Sequence, residues 1–264
     1  MASNGTTTTS TSTTTATNGS LDGGPEITLY TNHGCPWAHR AHIALKELDL
    51  SYKEVIIDLD TPREPWYLEI NPRGLVPTIS YNGAIITESA VVAQFLADAH
   101  QSHLLPPTTS VANALYRARV AFFVDAFFSK AMPLIFAGQR AQSDADKDDA
   151  AQELVKVVVK EMEPLFNWNN SSPFFGGSDR LTLAEVLTGP FVLRLLALSK
   201  PEYGIGSPKV TALLEERAPK FKAWAAKVVQ ESSVTYIWDE KRVAERTKAR
   251  FAKMAAAAAA EKKL

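Results

Sequence analysis

At 264 residues the chain is long enough for one to two domains of about 150 residues each, and 45% apolar with 22% charged residues is a folded, globular composition that excludes wholesale disorder. Lysine and arginine number 28 against 29 aspartates and glutamates, so a net charge of −1 provides no general field for gripping phosphate backbones and argues against a nucleic-acid partner. A single cysteine excludes an internal disulfide and any multi-cysteine zinc or iron–sulfur site, which argues against a secreted fold.

The first 20 residues hold 9 threonines and 4 serines with no charged side chain. They cannot bury enough apolar surface to offset the entropy of ordering them, so a disordered arm is expected over residues 1–24. The arm lacks the basic and apolar regions of a signal peptide and the arginines of a mitochondrial leader. No apolar run approaching the ~20 residues of a membrane span is read from the sequence. The expected location is therefore cytoplasmic, with no membrane partner.

Ile27-Thr28-Leu29-Tyr30 reads as a strand, ended by Asn32-His33-Gly34. From Pro36 the period changes to that of a helix, with Ala38, Ala41, Leu45 and Leu48 three or four apart. Residues 52–57 form a second strand, reached by a connection long enough for parallel pairing. Residues 61–71 are irregular or helical, and 76–81 a third strand. Asn82-Gly83 is a strong two-residue hairpin signal, returning the chain antiparallel through Ala84-Ile85-Ile86. A helix opens at Thr87 or Ser89 and runs to 99. The order β-α-β then β-β-α predicts a mixed four-stranded sheet covered by helices over residues 25–102.

Residues 100–110 read as a linker, and the chain beyond residue 110 as helix. Residues 111–136 carry a broad apolar face that includes Leu115, Val120, Phe123 and Phe127. Helices are expected next over 146–168, 181–198 and 208–231, the middle one opened by the capping box Thr182-Leu183-Ala184-Glu185. An all-helical second domain over 103–240 is expected, then a charged, alanine-rich helical tail over 241–264.

Cys35 stands at the predicted start of the first helix, where unpaired amides favour a thiolate. Pro36 suits the first helical position because its missing N–H would have had no partner there. A free cysteine is more often a small buried hydrophobe, but its place at a helix start favours a reactive thiol. Position 38 is alanine, so an outside thiol must resolve any mixed disulfide. Cys35, His39 and His42 would share a helical face, with His33 nearby. Paired ligand spacings are missing, so no metal is expected and the histidines read as surface or interface residues.

A proline opening a strand, as in Val76-Pro77, cannot donate to the ladder, and a cis bond there would present the Val76 backbone to a ligand. Glu88-Ser89 places a hydroxyl and fresh helix amides where a carboxylate could dock. Taken singly, these are also an ordinary turn proline and an ordinary helix start.

Together, Cys35-Pro36-Trp37-Ala38-His39-Arg40, Asn71-Pro72-Arg73-Gly74-Leu75-Val76-Pro77, Thr87-Glu88-Ser89-Ala90, Leu181-Thr182-Leu183-Ala184-Glu185 and Pro219-Lys220-Phe221-Lys222-Ala223-Trp224 resemble a cytosolic glutathione transferase. The cysteine-proline-aromatic-alanine start is most similar to the omega class. The resemblance implies a thioredoxin-like α/β domain followed by an all-α domain, glutathione as co-substrate, and thiol transfer or reduction through a mixed disulfide. It implies that Cys35 is the nucleophile, flanked by Trp37. Val76 would pair its backbone with the cysteinyl part of glutathione, Pro77 would be a cis proline, and Glu88 and Ser89 would hold the γ-glutamyl group. Arg63 falls where omega proteins carry a lysine near the glycyl carboxylate. Trp224 matches an aromatic of the hydrophobic-substrate pocket. His39, His42 and Glu185 depart from the family's usual residues, and the threonine-rich arm from its usual N-terminus.

Three functions stand as alternatives: a glutathione-dependent thiol transferase, a transferase conjugating glutathione to an electrophile, and a non-catalytic binding module of the same fold. Cys35 favours the first, since conjugation calls for a hydroxyl and a binding module needs no thiol. The resemblance also implies a homodimer, and Phe122, Phe123, Phe127 and Phe128 put more than one apolar stripe on the second domain's first helix.

Overall fold

Alternation of β-branched and aromatic residues makes Ile27–Thr31 a strand (β1) that buries Ile27, Leu29 and Thr31 on one side. In the computed structural model, which describes residues 24–168 and 171–261, β1 is central to a sheet ordered β2-β1-β3-β4. The threonine-rich arm (except Gly24) and the last three residues of the tail lie outside the described residues. Strand β2 (Lys53–Ile56) pairs parallel with β1, β3 (Thr78–Tyr81) antiparallel with β1, and β4 (Ala84–Thr87) antiparallel with β3. The hairpin turn is Asn82-Gly83, both with positive φ (48° and 85°), as the sequence predicts.

Helix α1 (Pro36–Glu47) connects β1 to β2 and buries Ala38, Ala41, Ala44 and Leu45. The short helix α2 (Pro65–Ile70) precedes β3, and α3 (Ser89–Ala99) follows β4. The fold is thus a thioredoxin-like α/β unit followed by helices, as expected. The segment expected as a linker is anchored, with Leu104 and Leu105 buried and the Leu104 carbonyl accepting from the Leu183 amide at 2.9 Å.

The helical part is built around α7 (Leu183–Leu198), buried on nearly every side. Such all-round apolarity marks the core helix of a bundle. Its capping box forms as expected, and Glu185 does more than cap. It accepts from the Thr182 amide (2.8 Å) and hydroxyl (2.7 Å), the Phe175 amide (2.7 Å) and the Trp224 indole (2.6 Å). One buried carboxylate thereby ties together the helix start, the preceding loop and α9 (Pro219–Val228).

Several expectations are corrected. The helix expected over 111–136 runs without a break from Val111 to Arg140, as α4 (Val111–Ala126), a π-helical turn (Phe127–Ala131) and α5 (Met132–Arg140). Leu115 belongs to its exposed side, whereas Val120, Phe123 and Phe127 face the core. Against the expectation of no membrane-length apolar run, this helix is long and apolar enough to cross a membrane by length and composition. Here Val120, Phe123, Phe127 and Met132 direct part of that apolarity into the protein core.

The next helix, α6 (Asp144–Val157), continues as a π turn (Val158–Met162) and a 3-10 turn (Glu163–Leu165). It stops short of Trp168 because Pro164 has no amide to extend it. The single helix expected over 208–231 is two, α8 (Val210–Arg217) and α9, since Ala218 is non-helical and Pro219 starts a new first turn. The short α10 (Ser232–Thr235) leads to α11 (Glu240–Glu261), the charged helix expected from the sequence. Its Arg246 reaches back 186 residues to Asp60 at 2.6 Å.

Replacing Glu185 by alanine leaves four buried donors without their acceptor. At ~1–3 kcal/mol for each orphaned group, a loss of at least about 4 kcal/mol is expected. Urea denaturation of Glu185→Ala beside the parent chain measures it.

Candidate active site

The turn from β1 into α1 is held by Asn32. Its carbonyl oxygens accept from the Cys35 amide (2.9 Å, backbone) and the Gly34 amide (3.0 Å, side chain), and its Nδ2 donates to the Ile57 carbonyl at 2.9 Å. Cys35 is the N-cap of α1, extended in backbone (φ −86°, ψ 120°) and half-buried against Ala38, Ile57, Tyr67 and Val76. Its thiol thus sits at the positive end of a three-turn helix.

Two guanidinium groups are buried around this turn. Arg40, on α1, donates from Nε to the Leu187 carbonyl (2.8 Å) and from Nη1 to the Ser89 hydroxyl (3.0 Å). Its charged carbon lies 4.3–5.1 Å from the ring centres of Phe128, Trp37 and Phe191. Arg194, on α7, donates to the Pro190 carbonyl at 2.9 Å and lies 3.4 Å from the Gly34 carbonyl oxygen, with Trp238 beneath it. Neither pairs with a carboxylate among the described residues. Burial pushes Arg40 down to about 9 and Arg194 down to about 10, and in both the negative charge of an ionised Cys35 opposes the shift.

The loop before β3 faces the same turn. A cis peptide joins Val76 to Pro77, and the Val76 backbone has no protein partner among the described residues. The loop is braced by Tyr67, whose hydroxyl donates to the Leu75 carbonyl (2.6 Å), and by Asn71, whose Nδ2 donates to the same carbonyl (3.0 Å) and to Thr78 (2.9 Å). Glu88 adopts φ 67°, a left-handed conformation that costs a non-glycine residue of order 1 kcal/mol or more and clusters at functional sites. Its carboxylate accepts from Arg73, and Ser89 behind it opens α3.

The structure therefore gathers Cys35, Trp37, Val76, Pro77, Glu88 and Ser89 around one end of the sheet. Arg63 has a structural task of its own. Its Nε and Nη1 donate to the carbonyls of Gly74 (2.9 Å), Asp58 (2.6 Å) and Thr61 (2.7 Å), so the guanidinium clasps the loops on either side of α2. Trp224 is displaced from the expected pocket: only 2% exposed, it packs among Phe123, Phe166 and Phe221 with its indole on Glu185. A cavity of about 650 Å³ opens instead between α1, α3, α4 and α7, lined among others by Trp37, Arg40, Val91, Phe128 and Leu187.

Of the three histidines expected at a surface or interface, His33 is partly exposed, but the other two do not lie at the surface. His39 and His42 are fully buried on α1. His39 Nδ1 accepts from Arg194 at 3.3 Å, and burial holds this imidazole well below its ordinary value. His42 shares Nε2 with the Thr31 hydroxyl (2.8 Å) and Nδ1 with the hydroxyls of Tyr52 and Tyr236 (3.1 Å each), and burial pushes it down to about 3. His33, His42 and Glu54 bring three possible metal-ligand atoms within 4.8 Å, but each already has a hydrogen-bond partner.

Arg194 is a functional candidate that motif and spacing do not single out. A lone arginine in the apolar run of α7 is the signal the sequence offers for it. Arg40 stands out in the sequence only as part of the cysteine motif.

Comparisons with known proteins give the chain's family. Residues 34–99 match the family described as glutathione S-transferase, N-terminal domain. The chain is 30% identical over 221 residues to glutathione S-transferase omega-1 of Rattus norvegicus, covering 82% of this chain and 83% of the relative. The Mus musculus omega-1 protein is 28% identical over 218 residues, covering 81% and 82%. Among solved structures, glutathione transferase Omega 2C from Trametes versicolor superposes with a TM-score of 0.72 at 29% identity, covering 86% of this chain and 99% of the other. A rice transferase solved in complex with glutathione gives 0.71 at 25% identity, covering 87% and 97%.

The two buried histidines make stability depend on pH. A histidine held neutral in the fold but free to protonate near 6.5 when unfolded contributes stability above pH 6.5 that is lost as pH falls. Each is expected to remove on the order of 1 kcal/mol per pH unit between about 6.5 and its folded value. Urea midpoints at pH 7 and pH 5 should show this decline, and His42→Gln should flatten it by roughly half.

Proposed function

Because this chain belongs to the glutathione transferase family, among its omega-like members, and is by that membership a glutathione transferase enzyme, we propose that its reaction is thiol transfer through Cys35. The observation that carries this reading is the thiol at the head of α1 beside two buried guanidiniums that lack a carboxylate. The thiolate is the nucleophilic form of a cysteine.

In this reading glutathione lies along the loop before β3. Its cysteinyl amide and carbonyl pair with the Val76 backbone, its ammonium with Glu88, and its γ-glutamyl carboxylate with Ser89 and the first amides of α3. The Cys35 thiolate attacks the glutathionyl sulfur of a mixed disulfide. The substrate thiolate leaves and takes up a proton, and Cys35 becomes glutathionylated. A second glutathione thiolate then attacks that disulfide, releasing oxidised glutathione and restoring Cys35. No second cysteine competes for this step. A chemistry that needs a free thiol suits a reducing compartment such as the cytoplasm.

The cavity beside Trp37 favours a second reading, in which an apolar electrophile is conjugated to glutathione. The two readings part at Cys35. Exposure to oxidised glutathione should add one glutathionyl group to Cys35, read by intact mass. Cys35→Ala should lose disulfide-reductase activity while still binding glutathione. Retained reductase activity in that variant would exclude the thiol-transfer mechanism, and a gain of conjugation in Cys35→Ser would fit a hydroxyl holding the glutathione thiolate.

We also infer a homodimer. Val111, Leu115 and Phe122 form an exposed apolar stripe on α4, with Phe122 59% exposed. Light scattering at micromolar concentration should give twice the chain mass. Phe122→Asp should shift it towards the monomer.

A further inference from the structure

Arg40 is a buried cation whose own contacts leave its charge unanswered. Its partners are a carbonyl, a hydroxyl and three aromatic rings, and no carboxylate lies within ion-pair distance among the described residues. The hydroxyl decides what this arrangement can do. A guanidinium has donors and no acceptor, so the Ser89 oxygen must accept from Arg40. The one hydrogen of Ser89 then has to be donated elsewhere, and no described group accepts it. Ser89 opens α3, and the preceding Glu88 gives that helix no side-chain cap, so the first amides of α3 also lack a side-chain acceptor. A buried hydroxyl forced to donate, free helix amides and a desolvated cation behind them are matched by one ligand chemistry: a carboxylate.

We propose that Arg40 is a positioning residue for the γ-glutamyl α-carboxylate of glutathione. It acts through Ser89, by fixing that hydroxyl as a donor and supplying the positive charge behind it. This rests on the glutathione reading above and deepens it, since it assigns recognition of a single carboxylate to a residue that never touches the ligand. The aromatic cage of Trp37, Phe128 and Phe191 has a corresponding role. It holds the guanidinium by its faces and leaves the edge free for Ser89.

The test compares two ligands that differ by that carboxylate, on the full chain, by calorimetric titration. One is S-methylglutathione, whose thioether cannot react with Cys35. The other is its analogue with 4-aminobutanoyl in place of γ-glutamyl, which keeps the amine and lacks the carboxylate. The parent chain should prefer S-methylglutathione by about tenfold or more, the size of a hydrogen bond to a charged group. In Arg40→Gln that preference should fall below about threefold, while affinity for the carboxylate-free analogue stays close to the parent value. A residue that only supported the fold would weaken both ligands together. Should Arg40→Gln not fold, Arg40→Lys keeps the charge without the planar fork and should give an intermediate preference. Full parental preference in either folded variant overturns the role of Arg40 and leaves the glutathione reading standing. So does a parent chain that binds both ligands equally. A parent chain that binds neither removes the glutathione reading, and this inference with it.

Discussion

Two guanidiniums enclosed between α1 and α7, with no carboxylate to neutralise them, set the terms for everything around the turn that carries Cys35. Burying a cation is costly unless its donors are satisfied and a negative charge is close. The protein meets the first condition with carbonyls from α7 and with aromatic faces. The second is unmet by any carboxylate among the described residues, and in the proposed reaction it falls to the sulfur of Cys35 and the carboxylate of the ligand. The resting fold therefore holds an electrostatic demand that the proposed chemistry answers. This accounts for the way the Cys35 turn, the start of α3 and the middle of α7 are packed as one unit.

A second buried charge organises the helical part in the opposite manner. Glu185 is enclosed with four donors already in place, so it asks nothing of a ligand. The same helix thus carries a satisfied anion near its start and a cation without a carboxylate at Arg194. Trp224 belongs to the first of these and serves as a structural donor. The contrast explains why an aromatic residue that matches a family substrate pocket lies in the core here: its indole is the only group on α9 that reaches the Glu185 carboxylate.

The parts of the fold legible in the sequence were those fixed by neighbours along the chain. Asn82-Gly83 demands a tight hairpin, Pro36 after Cys35 demands a helix start, and Thr182 with Glu185 demands a cap. Each was read correctly, since the physics involved spans four residues or fewer. The break at Pro219 was equally local and could have been read. The burial of His39 and His42 was not, because it depends on tyrosines and an arginine 10 to 194 positions away. The π turns in the long helices leave no mark on apolar periodicity that separates them from α-helix. Arg63 shows the limit of alignment by motif. Motif position gives no sign that the carbonyls of two loops take up its Nε and Nη1 donors.

The reach of α11 has a consequence in time. Arg246 bonds Asp60 across 186 residues, and the Tyr236 hydroxyl meets His42 across 194. A ribosome adding about 5–20 residues per second takes roughly 10–40 s to travel from one end of the first of these contacts to the other. For that interval the sheet and α1 can form, but the histidine and the strand–helix turn lack their covering. The nascent chain must therefore carry Cys35 through most of its own synthesis before the last-made helix closes beside it.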